Sequence, residues 1–160
     1  MRGLAIAVAA AIAACAPHQA PGAPAPEATA LGVPQTGLEE VKLTITSDGA
    51  VHRFTVEVAR SPEEQAQGMM NRQSLDPDRG MLFPYDPPEM ASFWMKNTLI
   101  PLDMIFIRAD GTIARIEENV APLSLEPVPA GEPVAAVLEL AGGRSAELGI
   151  GPGARVEWQR

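Results

Sequence analysis

A chain of 160 residues with 20 acidic and 12 basic side chains has room for one ordinary domain, and its formal charge of −8 makes it a poor partner for polyanions. With no basic stripe, nucleic acid and anionic headgroups are set aside as partners. Its only cysteine is at position 15, which excludes a disulfide scaffold or a thiol cluster.

Residues 1–15, MRGLAIAVAAAIAAC, place one charge, Arg2, ahead of an apolar run from Leu4 to Ala14. That run is shorter than the about 20 residues of a membrane-spanning helix. It suits the h-region of a secretory signal. Ile12-Ala13-Ala14-Cys15 resembles the lipobox of bacterial lipoproteins, in which the cysteine is acylated and becomes the first mature residue. Ala14-Cys15-Ala16 also has the A-x-A form of an ordinary cleavage site, but Pro17 would then follow the scissile bond. Lipidation at Cys15 is therefore the expectation: an exported chain held on the periplasmic side of the cell envelope by its lipid anchor. Each buried methylene of such an anchor contributes about 0.8 kcal/mol. Residues 16–40 are rich in Ala and Pro without apolar periodicity, the composition of a semi-rigid spacer. His18 lies in this spacer with no companion ligand and is given no role.

The domain is expected over residues 41–160. VKLTIT alternates, Ser47-Asp48-Gly49-Ala50 signals a turn, and VHRFTVEVA alternates again, so the opening unit is a β-hairpin. Ser61-Pro62-Glu63-Glu64 combines an N-cap, a proline suited to the first turn and a capping-box glutamate, starting a short helix that ends near Gly68. A polar loop leads to a strand at GMLF, a Pro-rich turn over 84–88, and the apolar stretch SFWMKNTLIPLDMIFI, which bends at Asn97-Thr98. Ala109-Asp110-Gly111-Thr112 turns into IARIEE; a second Pro-rich loop over 121–133 precedes VAAVLEL, a brief helix near Gly143–Leu148, and a closing strand, RVEWQ. Many short strands and two short helices, without internal repeats, predict a mainly β domain, a compact antiparallel β-sandwich or barrel.

Three blocks carry a resemblance: Gly68-Met69-Met70 with Arg72 and then Gly80-Met81-Leu82-Phe83; FWMKNTLIPLDMIFI; and VLELAGG with Leu148-Gly149-Ile150. Together they resemble the domain of unknown function 192 family, over about Val41 to Trp158. The resemblance implies a compact β-sandwich with minor helices and a family whose members are often exported. It implies no catalytic mechanism. Met69 stands where leucine is usual, a volume-preserving apolar swap. Ala154 replaces the usual aspartate after Gly153, which weakens any idea that this turn holds a cation.

Within the apolar segments three ionisable groups stand out: Lys96, Asp103 and Glu139. If the quoted stretch is extended, side chains alternate faces. Phe93 and Met95 then point one way and Ser92, Trp94 and Lys96 the other; beyond the bend, Asp103 shares a face with Ile105 and Ile107, opposite Leu102, Met104 and Phe106. Two accounts follow. Lys96 pairs with Asp103 or Glu139 as a structural ion pair, with Asn97 bonding the bend; or Trp94, Lys96, Asn97, Asp103 and Glu139 line a pocket for a small ligand or an envelope protein, with Lys96 toward an anionic group.

A hydrolase acting on envelope polymers is the alternative, with Asp103 and Glu139 as its carboxylates, a mechanism that turns on their separation. A Ser92–Lys96 dyad on a strand would span about 13 Å, too far for a base to reach its hydroxyl. His52, alone beside a hairpin turn, reads as a surface residue, and GIGPG precedes a strand rather than the helix a phosphate loop requires. Met69, Met70, Met81, Met90, Met95 and Met104 raise a Cu(I) site, since thioethers are soft ligands, but methionine also fills irregular cores. The sequence assigns no cofactor or resident metal.

Overall fold

The computed structural model describes residues 34–159. The expected signal peptide with Cys15, His18 and the spacer up to residue 33 lie outside the described residues.

Strands β1 (Glu39–Ser47) and β2 (Ala50–Val58) form the anticipated hairpin, and both residues of its two-residue loop, Asp48 and Gly49, have positive φ, 48° and 82°. Such loops match the right-handed twist of the flanking strands. Helix α1 (Pro62–Gln67) begins on a complete capping box: the Ser61 hydroxyl accepts from the Glu64 N–H, and the Glu64 carboxylate accepts from the Ser61 N–H. Before the hairpin, the end of the expected spacer is docked on the domain. The Gln35 amide donates to the Glu64 and Gly68 carbonyls at 3.1 Å each, and the Gln35 carbonyl accepts from Arg72 at 3.0 Å.

From α1 the chain enters β3 (Arg79–Glu89), which lies parallel to β2. Every other pairing among the described strands is antiparallel, as expected. The exception arises because residues 59–78 return along the sheet surface before β3 begins, as a parallel pair demands. The anticipated turn over 84–88 is instead extended chain within β3. Proline has no N–H to offer the ladder, so the pairing with β8 (Val134–Ala141) shifts register between Pro84 and Glu89 while the backbone stays extended.

The stretch SFWMKNTLIPLDMIFI is less regular than its apolar character suggests. Only β4 (Ser92–Phe93) and β5 (Leu102–Ile107) are strands; residues 94–101 form a turn in which Asn97 has φ 55°. After β5 come β6 (Ile113–Val120), β7 (Val128–Pro129), which pairs with β4 inside the second Pro-rich segment, then β8, α2 (Arg144–Leu148) and β9 (Arg155–Trp158).

Seven strands form one sheet in the order β6-β5-β8-β3-β2-β1-β9. It curls until its two edges meet: the Ile113 N–H donates to the Ala154 carbonyl and the Val156 N–H to the Gly111 carbonyl, both at 2.8 Å. The inside of this half-barrel holds Leu43, Ile45, Phe54, Val56, Leu82, Ile105 and Leu138, among others. A second core lies on the outer face, where Met69, Met81, Phe83, Met95, Met104 and Phe106 are covered by the 91–101 segment and the β4–β7 ribbon. The two family departures fit these places. Met69 is 2 % exposed in the outer core, and Ala154 is buried in the inner one, where a carboxylate would need partners.

Asp103 is buried on the inner side, and its carboxylate does the work of a cap. Oδ1 accepts from the Asn119 N–H at 2.8 Å and the Gly143 N–H at 2.7 Å; Oδ2 accepts from the Ser145 N–H at 2.7 Å. Helix α2 has no cap of its own, so a side chain from β5 satisfies its first amides. The approach needs a bare backbone at Gly142, where a Cβ would come within 2.8 Å of the Pro101 Cβ and 2.7 Å of the Asn119 Oδ1. Hydrogen bonds to an ionised group contribute about 1.5–3 kcal/mol each, so Asp103→Asn, which keeps one acceptor oxygen, should lower unfolding free energy by about 2–4 kcal/mol. Urea denaturation at pH 7 checks this; a loss below about 1 kcal/mol would mean the cap carries little of the fold.

Candidate functional site

Pairing places Asp103 opposite Leu140, and Met104 opposite Glu139, on adjacent strands. Residues directly opposite share a face. Asp103 therefore enters the inner core and Glu139 the outer one, separated by the sheet itself. A pair of carboxylates flanking one substrate bond is ruled out, and with it the hydrolase built on Asp103 and Glu139. Asp103 likewise leaves the proposed pocket, since backbone amides occupy both its oxygens.

Lys96 corrects the ion-pair account. It is exposed and makes no ion pair with Asp103 or Glu139; its ammonium lies 5.1 Å from the centroid of the Trp94 ring. At an exposed site this cation–π contact contributes about 0.5–1 kcal/mol. The reason is local: 94–101 is a turn, so strand alternation does not direct these side chains. Asn97 donates to the Met70 Sδ at 3.8 Å, and its N-terminal neighbour's carbonyl accepts from Thr98.

Glu139 is the unusual group. Along one row of the outer face the order is Glu57, Met81, Glu139, Met104, Glu117, so thioether side chains stand on both sides of it. Only 4 % of the residue is exposed, and Oε2 has no hydrogen-bond partner. Burial pushes its carboxyl up from the ordinary carboxylate value to about 8, with the Arg72 guanidinium pulling the other way. Arg72 is engaged through two of its nitrogens: Nη1 lies 2.6 Å from a Glu57 carboxylate oxygen and Nη2 donates to Gln35, while its buried Nε has no partner.

Above Glu139 is a narrow cleft of ≈ 40 Å³, whose walls include Met70, Phe83, Phe93, Trp94 and Thr98. Phe93 packs edge-on against Phe83 with centroids 4.9 Å apart, fixing one wall, while Trp94 is 49 % exposed at the mouth. The 121–127 segment is tied to the same turn, with the Met95 N–H donating to Ser124 O at 2.9 Å and the Leu123 N–H to Thr98 O at 3.0 Å. Leu123 and Leu125 are exposed there, and Leu123 adopts φ 62°, a conformation that costs a branched side chain about 1–3 kcal/mol. Of the five residues expected in a pocket, the fold brings Trp94 and Glu139 to one cleft, puts Lys96 and Asn97 at its rim, and sends Asp103 elsewhere.

The family model of the domain of unknown function 192, described as an uncharacterised ACR family (DUF192), matches residues 43–158. The chain belongs to the DUF192 family. A protein of unknown function from Novosphingobium aromaticivorans DSM 12444 has a similar structure, TM-score 0.76 at 47 % identity, covering 82 % of this chain and 95 % of that one. A proposed transcription regulator from Sinorhizobium meliloti 1021 is similar at TM-score 0.75 and 42 % identity, covering 78 % of this chain and 97 % of that one. No curated protein matches the chain.

Other candidates of this DUF192 domain fall into structural places. His52 is half-buried on β2 rather than exposed, and its Nε2 has no hydrogen-bond partner. Met69, Met81, Met95 and Met104 are packed in the outer core, Met90 is exposed, and Met70 borders the cleft. Gly149 and Gly153, both at positive φ, serve the α2 C-cap and the turn into β9. Sequence reasoning did not find the Arg72–Glu57 pair, although Arg72 belongs to the first family block; opposite signs 15 positions apart carry no register information.

The raised value for Glu139 sets a pH dependence. Between about 4.5 and 8 the folded domain holds a proton on Glu139 that the unfolded chain releases, so this group makes the domain less stable as pH rises across that interval. Glu139→Gln, which mimics the protonated acid, should leave the melting temperature nearly unchanged at pH 5 and raise it by several degrees at pH 8.5. Thermal melts at the two pH values check it; equal effects at both would mean Glu139 is ionised throughout.

Proposed function

We propose that this domain is a non-catalytic binding module of the bacterial cell envelope, holding a small ligand, or one side chain of an envelope partner, in the Glu139 cleft beneath Trp94. The single observation that carries this reading is a buried carboxyl with an unpartnered oxygen, that of Glu139, bordering an aromatic cleft with a half-exposed tryptophan. A buried acceptor without a donor costs about 1–3 kcal/mol, and such costs are retained where a ligand supplies the missing partner. Exposed Leu123, whose N–H donates to the carbonyl of Thr98 in the cleft wall, supports it further, since a strained and solvated leucine gains from being covered.

The envelope location rests on the sequence: an h-region ending in Ile12-Ala13-Ala14-Cys15, followed by an Ala/Pro-rich spacer that would set the domain off a membrane. Acylation at Cys15 would supply the anchor. The net charge of −8 opposes a role in binding DNA, so the regulator name of one structural relative is not extended to this chain.

Two experiments test the reading. Cys15→Ser should move the protein from the membrane to the soluble fraction of cells; unchanged membrane association would remove the lipid anchor. A thermal-shift screen of the full chain against amines, amino acids and envelope saccharides should give a ligand whose stabilisation falls at least tenfold in apparent affinity, about 1.4 kcal/mol, in Trp94→Ala. A ligand insensitive to both Trp94→Ala and Glu139→Gln would place the binding surface elsewhere.

A further inference from the structure

We propose that the Glu139 cleft receives a primary alkylammonium group, with Glu139 as its counter-ion and Trp94 as the surface along which the attached methylenes lie. This rests on the binding reading above and names the ligand class.

The lining sets one acid among aromatic and thioether side chains and holds no cationic group. No lysine, arginine or histidine is among the described residues that border the cleft. The Gln65 amide is spent on the Ala59 and Pro84 carbonyls at 3.2 and 3.3 Å, and the Thr98 hydroxyl donates to the Lys96 carbonyl at 3.4 Å. What remains is the buried, unpartnered Glu139 Oε2, the lone pairs of the Thr98 hydroxyl, the Met70 thioether and the Phe93 ring, with Trp94 at the mouth already shared with Lys96. An ammonium has three N–H donors and no acceptor. It suits a cleft that sets one carboxyl among aromatic faces, whereas an acceptor ligand would have to turn to the Trp94 indole N–H or to the Gln67 amide. Aromatic faces attract cations, and the structure already shows this chemistry at the rim, where the Lys96 ammonium lies over the Trp94 ring.

Size narrows the class. The cleft, ≈ 40 Å³, is small and opens to solvent on one side. A slender –NH₃⁺ with its neighbouring methylene enters it more readily than a branched trimethylammonium. A longer chain must leave through the mouth, past the half-exposed Trp94. A diamine and a lysyl side chain share this chemistry.

The charge environment gives the inference a signature. Glu139 is faced by Arg72 from the segment after α1, which is held by Glu57 of β2; Tyr85 of β3 interacts with it, and Glu117 of β6 ends its row. Arg72 favours the ionised form, and burial opposes it more strongly. An entering ammonium stabilises the carboxylate, so binding releases the Glu139 proton. Affinity should rise roughly tenfold per pH unit between 6 and 8 and level off above. A ligand that accepted a hydrogen bond from protonated Glu139 would show the opposite slope.

The test is NMR titration of the full chain at pH 6, 7 and 8 with n-butylammonium, n-butanol and tetramethylammonium, following the Trp94 indole N–H and the Met70 methyl. N-acetyl-lysine amide and 1,4-diaminobutane as further probes separate a lysyl from a diamine source. The expected result is saturable shifts at both reporters with the primary ammonium alone, tightening at least tenfold from pH 6 to 8 and weakened at least tenfold in Glu139→Gln at pH 8. Equal binding of n-butanol, a flat or falling pH dependence, or full affinity in Glu139→Gln would overturn the assignment. If no amine shifts Trp94 or Met70 while another ligand from the thermal-shift screen does, the ammonium class fails and the cleft remains a binding site. If nothing shifts them, both fail.

Discussion

Because β8 is covered on both faces, each of its side chains must enter one of two cores, and its register with β5 decides which. Glu139 goes outward with Met81 and Met104, while Asp103, one position along on the neighbouring strand, goes inward. A slip of one residue would exchange them and leave each carboxylate among groups that cannot satisfy it. The two acids therefore meet opposite fates from one constraint. Asp103 finds three backbone amides and becomes the cap of α2; Glu139 finds thioethers, aromatic rings and one guanidinium already engaged elsewhere, and retains its proton.

The contrast separates structural from functional polarity. A buried carboxylate with both oxygens matched to N–H donors stabilises what it touches. A buried carboxyl with an open oxygen, set under a cleft, is costly to the fold and informative about binding. The same logic removes Lys96 from the interior: a long, strongly hydrated ammonium at a turn settles on the nearest aromatic face in water rather than displacing packed methionines.

Several features were legible in the sequence for identifiable reasons. The hairpin, the α1 capping box and the α2 segment follow from local chemistry, turn residues and caps that act within four positions. Many short strands between turn signals carried the sandwich-or-barrel β domain, and the family blocks agreed with it. Of the site, Glu139 and Trp94 were legible because a carboxylate inside VLEL and a tryptophan inside an apolar run are both out of place. Their partners were not. Gln35 and Arg72 come from a presumed spacer and a loop, and the long extended reading of residues 92–107 hid a turn that strand periodicity alone does not reveal.

By itself, then, the sequence determined the class of domain, its kinship, and the segments that suggest export and anchoring, because composition, turn chemistry and short motifs act along the chain. Only the tertiary structure decided that Asp103 and Glu139 lie on opposite faces, that Lys96 is unpaired with either, and that a buried, unpartnered carboxyl borders the same cleft as Trp94. Those are consequences of which strands become neighbours and in what register, and hydrogen bonding between segments tens of residues apart leaves no periodic trace in a single chain.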